Sequence, residues 1–381
     1  KLIKKALENS QINELGLAEE IADFIEKLSV LFSEEEFIYW DKSNTVKESY
    51  RQKIRLGFSG NLINLSVTGL INFLDSAIKK VQLGIDKALD KKSGIYNSYF
   101  INEVAEYDLI NDHYLKPKKF VQKPAPLFLE GQMHALRLCD GSRRLLALHQ
   151  ATKKSLLFDK KLKMYKVTAN LDTMPEEIGR CRVFAPGWLE NESIWLHMEY
   201  KYILELLKGG LIAEFYAEFK NVLVPFQDPK RYGRSILENS SFIDSSAFAD
   251  KKLHGNGFVA RLSGSTAEFL HIWLLMNVGA QPFSFDKSGQ LNLTFKPSLA
   301  GWLFPANGKY SFNFLSRILV TYHNPLRKNT FGATAKNSAR IKKIILLDDD
   351  SPIVINSSVI PAPYAQEIRS RQIKKIDIFL E

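Results

Sequence analysis

The first 92 residues place apolar side chains at a helical period. Leu17, Ile21, Phe24, Ile25 and Leu28 recur at three- and four-residue spacing, with Glu19, Glu20, Asp23 and Glu26 between them, the pattern of a helix with one buried face. A longer stripe runs from Val67 and Leu70 through Ile78 to Ile85 and Leu89, and Gly94 is expected to end that helix. Residues 95–123 mix aromatic and charged side chains and predict an ordered but irregular excursion. From Pro126 to Ala151 the helical pattern returns, broken near Asp140-Gly141. Pro175 and Pro186 bracket a loop carrying Arg180 and Arg182. A helix near Glu192 to Leu207 stops at Gly209-Gly210, and a shorter one breaks at Pro225. Residues 226–262 read as a long loop holding Arg231, Arg234, Glu238, Asp244 and His254. Ser263-Gly264-Ser265-Thr266 then opens an apolar helix that ends at Gly279.

After Pro282 the period falls to two. Leu291, Leu293 and Phe295 alternate with polar residues, as do Phe312 and Phe314, and later apolar runs are short and bounded by turn residues. The expected architecture is therefore multi-domain, α then β: a helical domain over 1–282 and an all-β sandwich or jelly-roll domain over 283–381.

Composition narrows the function classes. Basic residues number 52 against 42 acidic, a formal charge of +10, but they are scattered in pairs such as Lys4-Lys5 and Lys118-Lys119. No nucleic-acid signature accompanies them, so a solvated basic surface, compatible with an anionic substrate, is the expectation. Cys139 and Cys181 are the two cysteines, too few for a disulfide scaffold or a zinc-thiolate centre, and they fit a reducing cytoplasm. The longest apolar run, Phe269 to Val278, is too short to span a bilayer, so no membrane partner is expected. The chain opens on Lys1 rather than Met, so a fragment or processed product is expected and an essential residue is sought upstream.

Two stretches carry candidate chemistry. In Gly187-Trp188-Leu189-Glu190-Asn191-Glu192-Ser193-Ile194-Trp195-Leu196-His197 a carboxylate, an imidazole and two indoles cluster near a helix start. If the helix already includes Glu190, two turns separate it from His197 and both share a face. Carboxylates accept bonds from sugar hydroxyls, and indole faces stack on pyranose rings. The same residues would also serve as helix caps and a core histidine. In Arg261-Leu262-Ser263-Gly264-Ser265-Thr266 a small-residue turn feeds an apolar helix, whose free N–H groups suit an anion, although an ordinary serine cap has the same sequence. Arg261 and His254 would add charge.

The order Glu-Asn-x-x-x-x-x-His, then Glu238-Asn239-Ser240-Ser241-Phe242, then Leu-Ser-Gly-Ser resembles glycoside hydrolase family 94, the inverting cellobiose, chitobiose and 1,2-β-oligoglucan phosphorylases. Leu291-Asn292-Leu293 with Pro297 and Trp302 is similar to the opening of that family's C-terminal β-domain. The likeness covers roughly residues 175–381 with fair specificity and 11–170 only loosely. It implies part of an (α/α)6 helical toroid followed by a β-sandwich. It also implies a β-linked gluco-oligosaccharide and inorganic phosphate as substrates, with no further cofactor and no metal. By the same likeness, His197, Arg261, Ser263, Gly264 and Ser265 are phosphate-side residues, and Glu190, Trp188 and Glu238 are sugar-side residues. A homodimer, or association with a missing N-terminal part, is the expected assembly.

The departure from the family lies in the general acid. The family's Asp-Trp-Asn-Asp segment has no counterpart here, and Asp41, in Tyr39-Trp40-Asp41-Lys42, is the nearest look-alike. Such an enzyme needs only one carboxylic acid. A hydrolase requires an acid for the leaving oxygen and a base for water, whereas phosphate is already an anionic nucleophile. What remains is to hold that anion in line with the anomeric carbon. The alternatives are an (α/α)6 hydrolase that uses water and a non-catalytic carbohydrate-binding module.

Overall fold

The computed structural model describes residues 1–258, 264–332, 338–347 and 352–381. The chain forms two compact units, Lys1–Ala125 and Pro126–Glu381. Among the described residues it is a mixed α/β protein with eleven α-helices and seven small sheets.

In the first unit α1 (Leu2–Glu8) precedes β1 (Glu14–Ala18), which pairs antiparallel with β2 (Leu62–Ser66). Leu17 thus lies in a strand, one residue before its end at Ala18. The amphipathic helix starts two residues after Leu17 as α2 (Glu19–Ser29), with Glu19 and Glu20 at its positive end. α3 (Glu36–Lys53) follows, and Asp41 stands exposed on it. The Ser66 hydroxyl accepts the Gly69 N–H at 3.1 Å and starts α4 (Val67–Ala88). That helix ends before Gly94, because β3 (Leu89–Asp90) turns back on β4 (Ile95–Tyr96) and the left-handed Gly94 makes the turn.

The stretch expected to be irregular is a long antiparallel hairpin of β5 (Phe100–Asn111) and β6 (Tyr114–Pro124). Register shifts at Val104/Glu106, Glu106/Tyr107 and Leu109/Asn111 break the alternation that would have announced it. Its cross-strand pairs are largely ionic, such as Asp108 with Lys118 and Glu103 with Lys123. Its base is held by the Phe120 ring set edge-on against Phe37 and Trp40 of α3. The buried apolar residues of this unit are Ala22, Leu31, Val67, Leu70 and Ile95.

The second unit begins with α5 (Leu129–Leu138), α6 (Ser142–Lys154) and the hairpin of β7 (Phe158–Asp159) and β8 (Met164–Tyr165). β9 (Ile194–Trp195) leads into α7 (Leu196–Lys208), which α8 (Ile212–Val222) follows. The Gly209 end of α7 packs on Leu145 so closely that a Cβ there would lie 2.4 Å from it. α9 (Pro229–Tyr232) is a single turn capped by Asp228. β10 (Phe242–Ile243) lies between β9 and β11 (Gly257–Phe258) in an antiparallel sheet, and α10 (Gly264–Asn277) comes next. α7 is the central helix, with Tyr200, Tyr202, Ile203 and Leu206 almost wholly buried.

The strands after residue 282 make two sheets. β12 (Phe283–Phe285), β13 (Leu291–Thr294) and β18 (Val359–Ile360) form one. β14 (Lys309–Phe314), β15 (Ile318–His323), β19 (Lys375–Leu380), β16 (Ile341–Leu347) and β17 (Ile353–Ile355) form the other, in that order. β15 and β19 run parallel, whereas every described strand pair before residue 282 is antiparallel. α11 (Tyr364–Arg369) interrupts the strands, so the segment is not wholly β. The change of period near 283 marks a change of secondary structure inside one compact unit. Across it the Tyr322 hydroxyl donates to the Asn277 carbonyl at 2.6 Å, and Trp273 meets Phe312 edge-on. The units themselves divide at Ala125.

Candidate functional site

α7 carries His197 in its first turn and is fixed from behind by buried polar bonds. Glu199 is fully buried and accepts the Tyr165 N–H at 2.7 Å. Burial pushes its carboxyl well above the usual range, against the Tyr165 N–H that favours the charged form. Glu205 binds Arg137 at 2.7 Å. With α7 so held, the His197 ring faces the start of α10. A Cβ on Gly264 would lie 2.6 Å from His197 Cε1 and Nδ1, so glycine is what lets the helix terminus meet the imidazole.

Three chain segments meet at this point. The Asn239 amide donates to Ser265 Oγ at 2.9 Å, and the Tyr200 hydroxyl donates to Asn239 Oδ1 at 3.3 Å. Ser265 is 1% exposed, so its hydroxyl braces the helix start from within. The His197 side chain is 24% exposed, with Nε2 3.9 Å from Glu268. Desolvation and then Lys201 lower its pKa, against the opposing carboxylates of Glu268 and Glu130. It is a neutral N–H donor at pH 7. Arg261 and Ser263 lie outside the described residues.

Of the residues expected on the sugar side, Trp188 and Glu190 sit on the loop before β9, and Glu238 lies between α9 and β10. Glu190 is not on the helix of His197: that helix starts at Leu196, and Trp195 is its N-cap. The shared-face expectation fails for a local reason. Leu189 (φ 45°) and Glu192 (φ 58°) both adopt left-handed backbone, which no helix continues through. The loop is locked instead by Asn191. Its amide donates to the Phe184 carbonyl at 2.8 Å and to Asp172 at 3.0 Å, and its Oδ1 accepts the Leu171 N–H. Gly187 (φ 87°) lies against the Phe248 backbone, where a Cβ would come within 2.3 Å of the amide nitrogen.

Glu190 Oε1 pairs with Arg180 at 2.9 Å, and its buried Oε2 has no partner. Glu192 binds Lys166 and Asn170 and belongs to the scaffold. Trp188 stands edge-on to Phe258, 4.2 Å between ring centres. Glu238 is exposed and paired with Arg234 at 3.2 Å, although its neighbour Asn239 reaches α10.

Trp195 belongs to the candidate motif already described, whereas Ser241, Arg231 and Asp244 are given no role by the sequence pattern. Trp195 Nε1, Ser241 Oγ, Arg231 Nε and both carboxylate oxygens of Asp244 are buried without partners. A native interior leaves few such atoms, and these fall between residues 187 and 258. The signal for Asp244 was an acid in an apolar and hydroxyl run, Phe242-Ile243-Asp244-Ser245-Ser246. His254 is engaged at both ring nitrogens: Nε2 lies 2.8 Å from the Phe248 carbonyl oxygen and Nδ1 2.6 Å from Lys161 Nζ.

Compared with known proteins, the chain matches no family model and no curated protein. Among the described residues no helix is long and apolar enough to cross a membrane, and no group of three or more His, Cys, Asp and Glu is arranged to hold a metal ion.

Proposed function

We propose that this chain is the phosphate- and sugar-binding part of an inverting β-glucoside phosphorylase, working on a β-linked gluco-oligosaccharide in the cytoplasm. In this reading the helices of 126–282 belong to an (α/α)6 toroid and the following strands to its β-sandwich. Supporting it is one observation: His197, Asn239 and Gly264-Ser265, distant in sequence, converge on a single helix start. An inorganic phosphate at that terminus would take backbone N–H donors and the neutral imidazole N–H. Glu190, with one orphaned oxygen, and Trp188 would hold the sugar ring beside it. The general acid is assigned to no residue of the second unit, and Asp41 remains the look-alike to test.

The experiment is calorimetric titration of the chain with inorganic phosphate, followed by an assay for glucose 1-phosphate from cellobiose and from a 1,2-β-glucan oligomer. Phosphate is expected to bind, and His197→Ala to weaken it by about tenfold, the worth of one charge-assisted hydrogen bond, with the melting temperature unchanged. Sugar phosphate release by the chain alone is expected to be absent, since acid assistance contributes ~10²–10⁴-fold. Absence of phosphate binding, or a sharp loss of stability in His197→Ala, would overturn the reading and return His197 to the core. Release that disappears in Asp41→Asn would place the acid in the first unit.

A further inference from the structure

In the first unit β1 and β2 each run directly into a helix, α2 after Ala18 and α4 after Ser66. The two helices flank a groove of about 790 Å³ that lies wholly within this unit. That volume falls within the range of ligand pockets, ~300–1,000 Å³. The floor is apolar, made by Ala22 and Ile25 of α2, Leu70 and Phe73 of α4, and Ile63 and Leu65 of β2. Both helices are amphipathic, yet α2 buries only Ala22, and α4 only Val67 and Leu70. Each thus keeps part of its apolar face uncovered, where a helix of this kind gains stability by packing against another element.

The two walls differ in charge. Glu19, Asp23 and Glu26 stand at i, i+4 and i+7 and form an acidic ridge along α2. Gly69, Asn72 and Ser76 make the α4 wall, which is short and uncharged. Asp23 is shared by Lys27 and Lys53, whereas Glu19 and Glu26 form no ion pair among the described residues. Glu20 joins the ridge at its start and accepts the Ser59 N–H at 2.8 Å. The lining therefore holds the carboxylates of Glu19, Glu20, Asp23 and Glu26 against the single ammonium of Lys53. The chain as a whole carries a formal charge of +10, so the groove is an acidic exception on a basic molecule.

We propose that this groove is a docking site for a basic amphipathic helix of a partner protein. Length and period both select that occupant. α2 runs for 11 residues, roughly 16 Å or three turns, which is the reach of a helix that sets apolar residues at i, i+3 or i+4, and i+7 on the floor. The acidic ridge repeats at the same period, so a row of lysine or arginine beside the apolar stripe meets it along its whole length. The site is independent of the phosphate and sugar residues, all of which belong to the second unit.

Fluorescence anisotropy on the full chain, with three labelled peptides of about 14 residues or four turns, tests the docking. The first peptide carries leucine at i, i+3 and i+7 with a row of lysine beside it. The second has glutamate in place of lysine, and the third has proline at its centre, which breaks the helix. The first is expected to bind at least ~10-fold more tightly than either of the others, and less tightly as salt is added. Non-specific attraction to a chain of positive net charge would favour the second peptide instead. Failure of the first peptide to bind, or equal binding of all three, overturns the proposal.

Two substitutions place the binding in the groove. Ser76→Trp fills it, and Glu26→Lys reverses the far end of the ridge, both from exposed helical positions. Each is expected to weaken the first peptide by ~10-fold or more with the melting profile unchanged. Binding that both variants leave intact overturns the site, and the peptide series decides alone if a variant does not fold. Sedimentation addresses the remaining occupant. The chain is expected to stay monomeric, and a dimer that the same two substitutions dissociate would show a second copy in the groove and overturn the separate partner.

Discussion

At the scale of single residues the proposed phosphate site rests on His197 and Gly264, which the fold brings together. Because burial lowers the histidine's pKa, the free ring is neutral at pH 7, and an anion beside it must raise that pKa. Phosphate affinity is thus expected to strengthen as pH falls through the histidine range, and the ring's NMR titration to move up on adding phosphate. An unmoved titration would separate His197 from the anion. Gly264→Ala places a methyl within 2.6 Å of the ring, so the imidazole must turn away. Phosphate binding should weaken by about tenfold, ~1.4 kcal/mol, with little change in melting temperature.

Asp244 supplies a separate pH dependence. Its folded pKa, about 7, lies above its ordinary 3.8. The folded chain binds the extra proton between those values, and the stability this contributes is lost as pH rises through 7. Asp244→Asn should flatten that part of the melting-temperature profile, and an identical profile in the variant would contradict the assignment. The motif names His197 and Gly264, and the fold brings them together. Asp244 was not legible, since its meaning depends on burial and on the absence of a partner, and neither is written in residue order.

At the scale of elements, patterns failed where local geometry overrode period. The stretch from Glu190 to His197 has helical spacing, but two left-handed residues and the Asn191 clamp hold its first half as a loop. Asn191→Ala leaves the Leu171 N–H and the Phe184 carbonyl without this partner and is expected to cost ~1–3 kcal/mol in thermal or denaturant unfolding. A cost below ~0.5 kcal/mol would show that the loop is held by something else. The β5–β6 hairpin was hidden for the converse reason. Its bulges break the alternation, and its ion pairs occupy positions where a buried strand would carry apolar residues. α4, α6 and α10 were read nearly in register because each buries a continuous face or a wholly apolar run. Their starts are also marked by Ser66, Gly141 and Gly264.

At the scale of the whole molecule, the two units differ in how much apolar surface each removes from water. The first contributes five buried apolar residues, Ala22, Leu31, Val67, Leu70 and Ile95, and leaves Leu2, Trp40, Leu56, Leu109 and others exposed. The second buries an extended core, from Leu129 and Met133 through the tyrosines of α7 to Ile376 and Ile378. Stability grows with the apolar area buried, so two calorimetric transitions are expected, the first unit melting at the lower temperature. His197, Gly264, Glu190 and Trp188 all belong to the second unit, and a ligand stabilises only the unit whose folded form binds it. At a phosphate concentration of about 100 times Kd the gain is ~2.7 kcal/mol. For a unit of this size that shifts melting by roughly 5–10 °C, taking ~2–4 °C per kcal/mol. Inorganic phosphate should therefore move the upper transition and leave the lower one in place. A single transition that moves as a whole would show that the units unfold together. Two transitions of which only the lower responds would put the anion site in the first unit and overturn the assignment to His197 and Gly264.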